Sequence, residues 1–209
     1  GSSPLHLAVC GGHLHILTVL LQKGADPRYG KGKGSVLHSM IDHVTTVTDE
    51  WRDAAVLVAK AVSERGGFLR GDGDGCCALM CRLVEKGMAS AALELVWSSG
   101  QVRDKLRTHP YPTAPSPLLS AVRHNEDRLV RALLSVDCDV ASPRCPITQR
   151  TVVQTAVRYS SWECLALLWA HATASTSPQE ALLDAHQLAS CGALGAMNGV
   201  HLTWLLSTF

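Results

Sequence analysis

Ser3-Pro4-Leu5-His6-Leu7-Ala8-Val9 opens a stretch that continues as Gly12-His13-Leu14-His15-Ile16-Leu17 and closes as Leu20-Leu21-Gln22-Lys23-Gly24-Ala25-Asp26-Pro27. Ser3 suits a helix cap, because its hydroxyl can accept from an amide of the first turn. Pro4 suits the first turn, where no backbone donor is needed. Leu5 and Ala8 lie three apart, on one helical face. Gly12 can end this short helix and His13 starts the next. Leu14, Leu17, Leu20 and Leu21 then keep helical spacing. Gly24 permits the turn that sends the chain onward. Two helices this short cannot bury an apolar face by themselves, so neighbours must stack on them.

These residues resemble one ankyrin repeat, whose pattern runs T-P-L-H-x-A-A-x-x-G-H, then V-x-x-L-L, then G-A-D. The resemblance implies an all-α fold: an ankyrin-repeat solenoid of stacked antiparallel helix pairs with finger loops between them. It implies a binding surface rather than a catalytic centre. His6, His13 and His38 resemble the family's buried histidines, which tie loops to helices by hydrogen bonds.

The unit recurs along the chain. In Gly34-Ser35-Val36-Leu37-His38, Leu37 stands 32 residues after Leu5. The first helix of this second unit is expected to reach about Val47. Its second helix is expected over Trp51 to Glu64, with Asp49 as N-cap and Ala54, Ala55, Leu57, Val58, Ala61 and Val62 on the apolar face. The third unit is degenerate. Gly75-Cys76-Cys77-Ala78-Leu79-Met80 holds the motif position, with Met80 in place of the histidine and Arg82 near a position that is normally alanine. Gly87 then breaks the pair, and Ala91, Ala92, Leu95 and Val96 line its second helix.

The fourth unit is clear again: Ser116-Pro117-Leu118-Leu119-Ser120-Ala121-Val122, then Leu129 to Leu134. The fifth reads Thr151-Val152-Val153-Gln154-Thr155-Ala156-Val157, then Cys164 to Leu168. Ser177-Pro178-Gln179-Glu180 reads as a capping box that opens a helix through about Ala189, and Val200 to Ser207 as a last short helix. The chain therefore reads as one domain, with repeats at roughly 3–30, 34–67, 75–103, 115–142 and 150–174 and capping helices over 177–209. Long connections fall at Lys31 to Gly34, at Gly66 to Gly75, and at Arg107 to Pro115, where three prolines forbid regular helix. Gly1-Ser2 reads as a cloning scar on a piece of a longer protein.

Composition narrows the function. A net charge of +1 over 209 residues makes no general case for nucleic acid or a membrane surface. No apolar run approaches the roughly 18 residues that a membrane helix needs. The eight cysteines are scattered, several on helical apolar faces, and no Asn-x-Ser/Thr sequon occurs. That pattern suits reduced thiols in an intracellular protein, cytoplasmic or nuclear.

Chemical motifs are near misses. Gly30-Lys31-Gly32-Lys33-Gly34-Ser35 lacks the adjacent lysine and hydroxyl of a phosphate loop, and the segment before it reads as helix. Asp72-Gly73-Asp74-Gly75 meets Leu83 where a calcium loop needs its glutamate. Cys76, Cys77 and Cys81 have no second cysteine pair at zinc-ligand spacing. No nucleophile elbow or His-Glu-x-x-His pattern occurs. No catalytic, cofactor or metal residue is therefore expected.

The expected function is a protein–protein interaction scaffold that binds a peptide or domain through a concave surface. The alternative is a spacer or regulatory module packed on other domains of a large enzyme. By the family's exposed positions the binding candidates are Cys10 and Gly11; Lys31, Lys33, Asp42 and His43; Arg123 and His124; and Arg150, Arg158 and Tyr159. The later units are basic with an aromatic, which suits an acidic peptide partner. A monomer is expected. The core is expected to hold Leu5, Ala8, Leu17, Leu20, Leu37, Leu79, Leu118, Ala121, Leu133, Val153, Ala156 and Leu168.

Overall fold

Eleven helices and no strand occur among the described residues of the computed structural model, which are 3–28, 35–44, 46–66, 75–108, 116–138, 140 and 150–175. They are α1 (Pro4–Cys10), α2 (Leu14–Gln22), α3 (Val36–His43), α4 (Asp49–Glu64), α5 (Gly75–Glu85), α6 (Ala89–Ser98), α7 (Gly100–Thr108), α8 (Pro117–Arg123), α9 (Asp127–Ser135), α10 (Val152–Arg158) and α11 (Trp162–Ser175). The expected basic finger at 31–34 lies outside the described residues. So do most of the loops before units three and four, and the capping helices over 177–209.

Two layers result. One row runs α1, α3, α5, α8, α10, each helix packed on the next. The other runs α2, α4, α6, α9, α11 in the same way. Each first helix also packs on its own second helix, as α1 does on α2 and α8 on α9. This is a solenoid of five helix pairs, with α7 added beside α6.

Local chemistry sets the helix starts. Ser3, Thr48, Ser116 and Thr151 cap α1, α4, α8 and α10 by accepting from the amide three residues on. Thr151 completes a capping box, because Gln154 Oε1 accepts from the Thr151 amide at 3.1 Å. Thr48, not Asp49, caps α4, and Asp49 sits inside the first turn, where its charge meets the positive end of the helix. The helix α3 ends at His43, short of the expected Val47.

One turn recurs between helices in four of the pairs. Gly12, Gly87, Asn125 and Ser160 take φ of 69°, 72°, 56° and 55°. Each donates to the carbonyl three residues back, and the next amide donates to the carbonyl five back: His13 to Ala8, Met88 to Leu83, Glu126 to Ala121, Ser161 to Ala156. A left-handed residue is needed there, which glycine supplies without strain. The turn also fixes the register of unit three. Met80, rather than Leu79, stands in Leu5's place, and Leu83 in that of Ala8. Cys81 rather than Met80 then takes the histidine position, and Arg82 falls beside, not on, the alanine position.

The core follows this geometry. Ten of the twelve expected core residues are buried; Leu20 and Val153 are half-buried. Both lie in the end pairs of the described stack, where one face has no described neighbour. In α4, Leu57 is 43% exposed and Ala61 half-buried, while Ala59 takes part in the buried face. α7 is an addition to the expected elements, overlapping the expected loop from Arg107 only at Arg107 and Thr108; Val102 and Leu106, four apart and fully buried, pin it.

Candidate protein interface

The ends of the first helices carry most of the candidate residues. Arg123 and Arg158 are the last residues of α8 and α10, and His124 and Tyr159 follow as their C-caps. All four are exposed. The two helices pack side by side, so Arg123 lies next to its equivalent one unit on. Its guanidinium carbon sits 5.4 Å from the centre of the Tyr159 ring, a cation–π contact that joins the units. Arg150 is exposed just before α10. Glu126, Asp127 and Glu163 open the second helices of the same two pairs, so acidic groups flank this end of the stack.

Earlier in the row the candidates are already engaged. Asp42 forms an ion pair with Arg82 of the next unit. His43 places Nε2 3.2 Å from the Cys10 sulfur, linking the ends of α3 and α1. This contact went unread in the sequence, although both residues close first helices of adjacent units. Lys31 and Lys33 lie outside the described residues. Gly11, the C-cap of α1, is exposed, although an added Cβ would come within 2.8 Å of the His13 ring.

The histidines divide. His6 is buried with Nδ1 2.7 Å from the Ser3 hydroxyl; His38, expected buried, is half-buried with Nδ1 3.1 Å from that of Ser35. His13, expected buried, is exposed, because the turn uses only its backbone as the N-cap of α2. Hydroxyl bonds also cross between units: Ser161 donates to the Val122 carbonyl at 2.7 Å and Ser120 to that of Cys81 at 3.4 Å.

The thiols divide as well. Cys10 is exposed; Cys76, Cys77, Cys81, Cys138 and Cys164 are buried, and among the described residues none of these six forms a disulfide. Burial pushes the Cys76 and Cys164 thiols up to about 12 and that of Cys77 to about 11, and raises Cys81 too. Such thiols stay protonated and make poor nucleophiles or metal ligands. Among the described residues, no three His, Cys, Asp or Glu side chains gather as a metal site would require. No helix among them is long and apolar enough to cross a membrane.

The largest exposed apolar side chains lie elsewhere. Leu7, Ile16 and Val19 are 61%, 42% and 45% exposed at the start of the stack, and Trp97 of α6 is 67% exposed. Aligned on the turn, Leu7 holds the place of Arg82, Ser120 and Thr155, so a leucine stands where the other three units are polar. Comparison with known families finds an ankyrin repeat at residues 1–30. No curated protein matches the chain.

Proposed function

Taking the ankyrin repeat at residues 1–30 and the all-α stack of helix pairs as premises, we propose that this protein binds another protein through the ends of its first helices in units four and five. Ankyrin repeats generally mediate protein–protein interaction. The observation that carries the finer reading is the Arg123–Tyr159 contact beside exposed Arg158 and His124. It presents cationic groups and an aromatic ring on one edge of two packed helices. Arginine and tyrosine together are favoured anchors at interfaces, and the charge favours an acidic segment. The repeats serve as the frame at the boundaries given above, and catalysis has no part in the proposal.

Affinity capture with the wild-type chain and with the Arg123→Glu/Arg158→Glu variant tests this. Proteins bearing acidic segments should be lost from the variant, and wild-type capture should weaken as salt rises. Both arginines are exposed, so the melting temperature should move little. Capture that survives the double charge reversal removes this edge from consideration.

A second reading, packing on another part of a larger assembly, is favoured by a different observation. Leu7 of α1 and Ile16 and Val19 of α2 are large exposed apolar side chains of the first described pair, away from the edge that carries Arg123 and Arg158. Exposed apolar side chains in excess mark a contact surface.

A further inference from the structure

We propose that the edge formed by the ends of α5, α8 and α10 takes an extended, polyproline-II segment of a partner protein, with a basic side chain set against Glu85 and acidic side chains against Arg123 and Arg158. This rests on the binding edge of units four and five proposed above and names the charge pattern of its partner. The first helices α1, α3, α5, α8 and α10 end on Cys10, His43, Glu85, Arg123 and Arg158. They form one row, each helix packed on the next. Helix ends of neighbouring units meet along it: Cys10 Sγ lies 3.2 Å from His43 Nε2, and Arg123 lies over the Tyr159 ring. The row is thus a line of side chains with one step per unit.

Side chains along that line are of two kinds. In units one and two they are already engaged: His43 meets Cys10, and Asp42 is paired with Arg82 of unit three. From Glu85 onward the charge is open. Glu85, Arg123 and Arg158 are all exposed, and among the described residues no ion pair engages any of them. Their sign changes once, from negative at Glu85 to positive at Arg123 and Arg158. Lys86 stands next to Glu85, but consecutive residues of a helix do not face each other. Glu126 and Asp127 lie past the turn, at the start of α9, and are half-buried. A wholly acidic segment along the row would set a carboxylate against Glu85, whereas one that is basic at that place meets opposite charge at all three. The row also sets the spacing. Packed helices lie about 8–10 Å apart, and a polyproline-II segment returns every third side chain to one side after about 9 Å. A β-strand repeats its side every second residue, after about 6.6 Å, and falls out of step.

Fluorescence anisotropy titrations of the 209-residue chain with labelled synthetic peptides test this. Lys-x-x-Glu-x-x-Glu and its reverse order, with proline and serine between the charges, are both titrated, and the tighter is the reference. Changing its lysine to glutamate should weaken binding about fivefold or more, and the difference should shrink as salt rises. Drawing the charges together as Lys-x-Glu-x-Glu should weaken it as well. Glu85→Lys should reverse the order, so that the all-acidic peptide binds tighter. Its melting temperature should hardly move, because Glu85 is exposed. An all-acidic peptide that binds the wild-type chain as tightly as the reference, with both lost on Arg123→Glu/Arg158→Glu, overturns the charge pattern and leaves the acidic-segment reading standing. A lysine preference that persists in Glu85→Lys puts the basic contact elsewhere and overturns the assignment. Equal binding at the shorter spacing overturns the register. Reference binding that survives the double arginine change overturns both this proposal and the edge it rests on. If no peptide binds, the extended segment is wrong, and protein capture alone decides the arginine edge.

Discussion

The third and fourth helix pairs reach one geometry from unlike sequences. α8 opens with Ser116-Pro117-Leu118, caps itself, and ends after seven residues. α5 opens on Gly75 with two cysteines, lacks the motif proline, and runs eleven. Yet both hand over to their second helices through the same left-handed turn, at Gly87 and Asn125. They pack directly on each other, α5 against α8 and α6 against α9. The difference teaches that the turn and a few fully buried side chains define the unit, whereas the motif letters at the helix start can be exchanged.

Truncating the core is the strongest way to break that equivalence. Leu118 and Met80 occupy the same place in their units and are both fully buried. Leu118→Ala and Met80→Ala should each cost about 2–5 kcal/mol, through lost burial and the cavity left behind. Denaturant midpoints with unchanged slopes measure it. A Met80→Ala cost below about 1 kcal/mol beside a full cost at Leu118 would show that the third unit is held differently.

The turn offers a smaller and sharper test. Space is open around Gly87, where an added Cβ meets nothing within 4 Å, so only the backbone resists substitution. Gly87→Ala should cost about 1–2 kcal/mol from the left-handed conformation alone. Gly87→Asn should cost less, since asparagine tolerates this region and already holds the equivalent place in unit four. Equal losses for alanine and asparagine would mean that Asn125 is tolerated only through its contacts with Cys164 and Glu163.

These pairs also show what could be read in advance. Leu118 and Ala121 were legible because proline, serine and apolar spacing agree over a few residues. The register of unit three was misplaced by one, since the motif start was used as the anchor while the structure keeps the turn. α7 was missed because Val102 and Leu106 are only two apolar residues in a charged stretch, and their burial comes from tertiary packing on α6. The interface candidates were legible as positions but not as partners. Local spacing places Asp42, His43 and Arg123 at helix ends, yet their contacts with Arg82, Cys10 and Tyr159 span 33 to 40 residues. The exposure of Leu7 is not legible in advance, because a buried leucine and an exposed one look alike in sequence.

The junctions between units differ in kind, and acid should tell them apart. Units three and four meet through apolar side chains and the Ser120 hydroxyl. Units one and two are bracketed by charge. Arg28 donates to the Asp26 carboxylate at 2.9 Å and to the Arg65 carbonyl, while Arg65 donates back to the Gly24 carbonyl at 2.6 Å. The Asp26 side chain is only 17% exposed. The Arg28 hydrogen bonds are the largest influence on its carboxyl and hold it below its ordinary value of 3.8, although burial pulls the other way. A carboxyl that is more acidic in the folded chain stabilises the fold above the ordinary value, and that contribution drains away as pH falls through the lower folded value. Asp26→Asn should therefore lower stability on the order of 1 kcal/mol at pH 7. The gap to wild type should hold down to about pH 5 and close below pH 4. Thermal melts of both chains from pH 7 to pH 3 measure it. A gap that stays constant to pH 3 would assign the loss to the amide's poorer fit between Arg28 and Arg65 rather than to charge, and the two junctions would then be alike in their response to acid.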